Sequence, residues 1–283
     1  KLYPSNISLL GELLRSSADS LPFLYTLELS FNYLDSTVTE PSSSTTTAVN
    51  SCMELAMSIV QNSTLKRIII NENDIGEEAV NYMARALNKS LTVREDTFPR
   101  ILWMKQLSYL DFSNNELTID NNNNKNLNLL FYNLSGIEHG VETLVLSHNT
   151  MGSSVNSICT LFTSANQEFQ QLKNLYLSDM SIKPKQMEEL LIALSKNRFL
   201  KTLDVSNNYS LFEEECVQAL GQVFKENKSL VNLNLAYTGL RVFKQEGEQN
   251  TISKAKQIEQ QQIEQQDEEM KINNDPFEEA FFG

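Results

Sequence analysis

Apolar residues recur in a fixed nine-position pattern, at the first, fourth and sixth positions, with Asn usually at the ninth. The copies are Leu24-Leu27-Leu29-Asn32, Leu65-Ile68-Ile70-Asn73, Leu107-Leu110-Phe112-Asn115, Val141-Leu144-Leu146-Asn149, Leu172-Leu175-Leu177-Met180, Leu200-Leu203-Val205-Asn208 and Leu230-Leu233-Leu235-Thr238. Around the fourth to sixth positions the alternation has period two, which predicts a short strand. Between copies the spacing changes to three and four. It predicts helices over Glu77 to Asn88 (Ala79, Val80, Met83, Ala84, Leu87), after Pro184 (Met187, Leu190, Leu191, Leu194) and over Phe212 to Asn227 (Val217, Leu220, Val223, Phe224). Ile7, Leu10, Leu13 and Leu14 predict a further helix within Asn6 to Asp19, covering the first edge of the stack as the remnant of a preceding partial copy of a longer chain. Strand then helix, always in that order, gives parallel strands. One unit cannot bury its apolar face alone, so neighbours must stack.

The copies start 41, 42, 34, 31, 28 and 30 residues apart. The later intervals settle near one length and the first two carry insertions. Over Asn6 to Leu240 the chain resembles the leucine-rich repeat family, in its long-repeat, ribonuclease-inhibitor-like class. The resemblance implies an α/β solenoid of about seven repeats, with a curved parallel sheet inside and helices outside. In that family the ninth-position Asn bonds backbone groups of neighbouring turns. Met180 and Thr238 depart from it, which implies looser packing at the fifth repeat and an ending at the seventh.

The domain reading is therefore a solenoid over 1–240, with insertions near 36–47 and 91–106, followed by a tail over 241–283. Residues 36–47 and the Asn-rich stretch 120–126 read as polar loops. The insertion from Leu91 to Gln106 differs, because it holds Phe98, Ile101, Leu102, Trp103 and Met104. It either packs on the protein's own surface or serves as a docking element, since exposed Trp is costly unless used. From Lys244 to Gly283 there are 4 basic and 10 acidic residues. That tail is Gln/Glu-rich and reads as solvated helix or disorder. Its end, Asp275-Pro-Phe277 with Phe281 and Phe282, is either a linear motif for a partner or a cap on the last repeat.

Asn62, Asn88 and Asn227 each stand before a Leu three residues on and read as left-handed helix stops. They also match the N-glycosylation pattern, as do Asn6, Asn133 and Asn208. The helix-stop reading is preferred, because the Cys-rich caps of extracellular family members are absent.

Charge narrows the partners. The chain carries 23 Lys and Arg against 36 Asp and Glu, a formal net charge of −13. Phosphate backbones and anionic lipid would repel it, so neither nucleic acid nor membrane is expected as a partner. Cys52, Cys159 and Cys216 are widely separated and fit neither a disulfide framework nor a metal cluster; they read as helix packing residues. His139 and His148, nine apart, match no metal spacing, and Gly, only 9 in total, forms no phosphate loop. No catalytic set and no cofactor site is legible, so the chain is expected not to be an enzyme.

Function is then expected on the concave strand face. The third-position row is Thr26, Arg67, Tyr109, Thr143, Asn174, Thr202 and Asn232. The fifth-position row is Glu28, Ile69, Asp111, Val145, Tyr176, Asp204 and Asn234. The seventh-position row is mostly Ser and reads as structural. Candidate partner-binding residues are Glu28, Arg67, Tyr109, Asp111, Val145, Tyr176 and Asp204, with Trp103 from the insertion. Aromatics flanked by acids suit a basic or mixed protein partner. The expected function is a non-catalytic, cytoplasmic interaction scaffold for one or more proteins, alone or as a subunit of a larger assembly. A cytoskeletal or ciliary setting follows by fold-level analogy. The alternative is a GTPase regulator, since the chain also resembles the Ran GTPase-activating proteins in pairing this repeat class with an acidic C-terminal region.

Overall fold

Each copy of the pattern contributes one three-residue strand to a single all-parallel sheet. In a computed structural model the elements are α1 (Pro4–Arg15), β1 (Thr26–Glu28), β2 (Arg67–Ile69), α2 (Gly76–Ala86), β3 (Tyr109–Asp111), β4 (Thr118–Ile119), β5 (Thr143–Val145), β6 (Thr150–Met151), α3 (Asn156–Phe162), β7 (Asn174–Tyr176), α4 (Pro184–Lys196), β8 (Thr202–Asp204), α5 (Glu214–Glu226) and β9 (Asn232–Asn234). The seven-stranded sheet runs β1-β2-β3-β5-β7-β8-β9, and β4 and β6 form a second, two-stranded sheet. The protein is α/β, with helices alternating with parallel strands.

The structure describes residues 4–15, 23–32, 34, 55–59, 62, 64–86, 107–119, 130–132, 134, 140–152, 155–163, 171–209 and 214–240. The chain divides into two units, Lys1–Leu240 and Arg241–Gly283. The second unit lies outside the described residues, with both insertions, Trp103, the 120–126 stretch, Cys52, His139, Asn88 and Asn133; the readings made of them stand as expectations.

Register follows the motif. The fourth-position residues Leu27, Ile68, Leu110, Leu144, Leu175, Leu203 and Leu233 are consecutive partners across the sheet. All but Leu233, on the terminal strand, are buried. The same four bonds recur at every step between strands. Lys201 N and Thr202 N both donate to Lys173 O, for example, while Leu177 N donates to Asp204 O and Asp179 N to Ser206 O. Three-residue strands are marginal by themselves, and this repetition compensates.

Buried asparagines close four of the seven turns after the strand, at Asn73, Asn115, Asn149 and Asn208. Asn208 Oδ1 accepts from Met180 N and Ile182 N (2.9 and 3.1 Å), while its Nδ2 donates to Leu177 O, Val205 O and Ser206 O. Asn73, Asn115 and Asn149 do the same for the copies before them. Met180 was expected to loosen this ladder, but it is fully buried. Its carbonyl accepts from Met151 N at 2.7 Å, and the β4–β6 pairing occupies the donors Thr150 N and Gly152 N (2.9 and 2.8 Å). A hydrophobic side chain and a backbone bond thus take the place of the amide. Thr238, the other departure, is also buried and donates its hydroxyl to Leu235 O.

A second asparagine ladder runs along the helix ends. Asn197 Oδ1 accepts from Phe199 N and Leu200 N, and its Nδ2 donates to Phe162 O. Asn227 repeats this toward Leu194 O at 2.7 Å, and Asn62 toward Leu14 O at 3.2 Å. Asn197 sits at φ −70°, ψ 144°, and Asn227 does not have positive φ. The stop at Asn227 is therefore not left-handed, contrary to expectation. Each Asn side chain accepts from the N–H groups two and three residues on, as in an Asx turn. These bonds, and the burial of Asn62 and Asn208, commit three of the glycosylation-pattern asparagines to the fold.

Leu203→Ala empties a fully buried position between two strands and should destabilise by about 2–5 kcal/mol in denaturant unfolding. Asn208→Ala strands two buried N–H groups and three carbonyls. It should cost a comparable amount, about 2–5 kcal/mol, although it removes little apolar area. Equal stability of Asn208→Ala and wild type would show that water replaces the amide freely.

Candidate functional site

The strands alternate, so the third, fifth and seventh positions share the sheet face opposite the core. Arg67 pairs laterally with Tyr109 and then with Thr143, while Asp111 pairs with Val145 and then with Tyr176. Parallel strands lie about 4.8 Å apart. Tyr109 and Tyr176 thus stand two strand steps apart, with Val145 between them. Arg67, Tyr109, Asp111, Val145 and Tyr176 form one strip. All are partly or fully exposed.

Specific contacts bind the strip together. The Arg67 guanidinium lies 3.5 Å from the centre of the Tyr109 ring. Tyr109 donates its hydroxyl to Asp111 Oδ2 at 3.4 Å. Partial burial pushes the Tyr109 pKa above its usual value of 10.0, with Asp111 and Tyr176 adding to the rise and Arg67 opposing it. Lys66, beside Arg67, lies 4.4 Å from the Tyr25 ring centre, a second cation–ring pair at the strand starts.

The other candidates are more dispersed. Glu28 is on the edge strand β1, two steps from Asp111, and Asp204 is three steps from Asp111 on the other side. Asp111 and Asp204 also have a structural duty that spacing alone does not disclose. Asp111 Oδ1 accepts from Ser113 N and Oγ (3.0 and 2.6 Å); Asp204 Oδ1 accepts from Ser206 N and Oγ (2.9 and 2.6 Å). Each closes an Asx turn where the chain leaves the strand. Asp204 Oδ2 additionally accepts from Asn234 Nδ2 at 3.0 Å. One oxygen of Asp111 is committed to its turn, and both oxygens of Asp204 are engaged. The recurring Asp-x-Ser was the available signal.

The Ser row is structural, as read. Ser113, Ser147 and Ser206 are buried, and Ser206 Oγ, its proton on Asp204, accepts from Ser178 Oγ at 3.0 Å. Asn71 replaces Ser in the second copy, and its Oδ1 is buried with no hydrogen-bond partner. At the eighth position Phe31, Glu72, Asn114, His148, Asp179, Asn207 and Tyr237 all have φ between 53° and 60°. None is Gly. Within this row His148 Nδ1 and Asp179 Oδ2 are 3.0 Å apart, both about half exposed. The sequence placed His148 at the strand rim but gave no reason to single out Asp179.

Burial, with Glu189 nearby, pushes the Cys159 thiol up to about 12, so it is not an activated nucleophile. Cys216 is buried against Pro184 O at 3.2 Å. Among the described residues no group of three His, Cys, Asp or Glu could hold a metal ion, and no helix is long and apolar enough to cross a membrane.

Asp111→Asn keeps the acceptor for Ser113 but removes the charge beside Tyr109. The Tyr109 phenol should then ionise at lower pH in an ultraviolet difference titration. Because the folded pKa is raised, the Tyr109 contribution to stability is intact below pH 10 and is lost as pH climbs through the folded value. In Asp111→Asn the loss should begin at the same pH but be smaller and finish earlier, because only the folded value moves down. No family model matches the chain, and no curated protein matches it.

Proposed function

We propose that the chain is a leucine-rich repeat solenoid acting as a non-catalytic, cytoplasmic scaffold that binds protein through its strand face. Physical support for the curved form is a mismatch of widths. Helices are about 10 Å across and strands about 4.8 Å apart, so a layer of helices on such a sheet must splay outward. Seven in-register copies of one motif carry the family reading.

The observation that carries the functional reading is the strip itself. Two tyrosines, an arginine and a valine occupy the middle of a sheet face that no described element covers. Aromatics and Arg are the residues on which protein interfaces concentrate binding energy. The rows on either side, Thr, Asn and Ser, supply a polar rim. Arg67 is stacked on Tyr109, which favours binding over the supply of a catalytic arginine to a GTPase.

Affinity capture with the intact chain, compared with a version ending at Leu240, should identify the partner and show whether the tail contributes. With that partner purified, Tyr109→Ala combined with Tyr176→Ala should weaken binding about ten-fold or more. Circular dichroism and the unfolding midpoint should stay close to wild type, since neither side chain enters the core. Unchanged affinity in the folded double variant would end the strand-face reading.

A further inference from the structure

The strip already holds a cation of its own. The Arg67 guanidinium is 3.5 Å from the Tyr109 ring centre, which is stacking distance. Arg67 is exposed and forms no ion pair with a described residue, so the ring is its visible anchor. Beside it, Asp111 Oδ2 takes only the long 3.4 Å bond from Tyr109, while Oδ1 is fixed by Ser113. Register then adds Val145 and Tyr176. An aromatic face, a carboxylate oxygen with capacity to spare, an apolar floor and a second phenol are the groups that together recognise a planar guanidinium.

We infer that this strip receives an arginine side chain of the protein partner, and that Arg67 is an internal placeholder which the incoming guanidinium displaces from Tyr109. The inference rests on the strand-face reading above and names the chemistry of its partner. A formal charge of −13 on the chain favours approach of a basic segment. Arginine fits better than lysine: its flat fork can stack on Tyr109 and present N–H groups to Asp111 at once, whereas an ammonium offers a point charge. A single stacked cation at a partly exposed site is a weak tie, which makes exchange of Arg67 feasible.

The test is an NMR titration of the full chain with acetyl-Gly-Arg-Gly-amide, beside the same peptide carrying lysine or citrulline. The arginine peptide should shift the resonances of Tyr109, Asp111 and Tyr176, and citrulline, which has the shape without the charge, should not. Arg67→Ala should tighten the arginine peptide by roughly two- to five-fold by vacating the ring. Asp111→Asn, which preserves the Ser113 turn, should weaken it by a similar factor, as should Tyr176→Ala. Equal binding of citrulline or lysine peptide would overturn the inference, and so would weaker or unchanged binding in Arg67→Ala. If the peptide fails while the Tyr109/Tyr176 double variant still loses its natural partner, the arginine inference falls and the strand-face reading stands. If both fail, the face is idle.

Discussion

Backbone groups that leave a short strand and turn inward must find partners without water, and in this protein buried asparagine side chains meet most of that need. A three-residue strand satisfies few donors and acceptors by itself. The chain beyond it would present bare N–H and C=O groups to an apolar interior, each costing about 1–3 kcal/mol if left unmet. Asn115, Asn149 and Asn208 each accept from one copy and donate into both. The helix-end asparagines Asn62, Asn197 and Asn227 repeat the device at the other end of the unit. With the strand ends tied along the sheet and the described helix ends tied at Asn62, Asn197 and Asn227, the apolar columns can stack at one register.

That tie also explains a run of strained residues. Seven consecutive copies place a non-glycine residue at positive φ at the eighth position, among them Phe31, Glu72, His148 and Tyr237. The left-handed region costs an ordinary residue roughly 1–2 kcal/mol. Six of these residues donate their N–H to the seventh-position carbonyl of the next copy, as His148 N does to Ser178 O at 2.8 Å. The bend aims the following Asn into the core, so the strain and the ladder come as one arrangement. Side chains at the eighth position are thereby held at the rim, which is how His148 and Asp179 come to face each other.

Much of this was legible in the sequence. The nine-position pattern gave the strand centres and the lateral neighbours on the face, because an apolar period is a direct record of which side chains must be buried. It could not reveal what an individual polar residue does once placed. Asn197 stops its helix with extended geometry, and Asn197, Asn227 and Asn62 all accept from following N–H groups through their side chains; the same residue type serves either mechanism. Met180 broke the Asn pattern without loosening the fold, since a backbone carbonyl and a two-residue sheet replaced the amide. Asp111 and Asp204 looked like free charges on a binding surface, and each has an oxygen locked into a turn by a serine two residues on. Hydrogen bonds of that kind depend on rotamers and chain direction, which composition and spacing do not carry.

The division of labour within Asp111 bears on how such a face can recognise anything. A rigid ladder fixes where each row stands, but rigidity alone would leave its polar groups satisfied internally and indifferent to a partner. Asp204 comes close to that condition, with Ser206 on one oxygen and Asn234 on the other. Asp111 differs because its second oxygen meets only the edge of Tyr109, whose ring is in turn engaged by Arg67 rather than by the core. Under the proposed strand-face reading, recognition depends on such incompletely spent groups, held in place by neighbours that are fully spent. In the described residues they concentrate at the third and fifth positions of β2, β3, β5 and β7. The ladder beneath them fixes the sheet, so that the proposed binding would not be offset by its rearrangement.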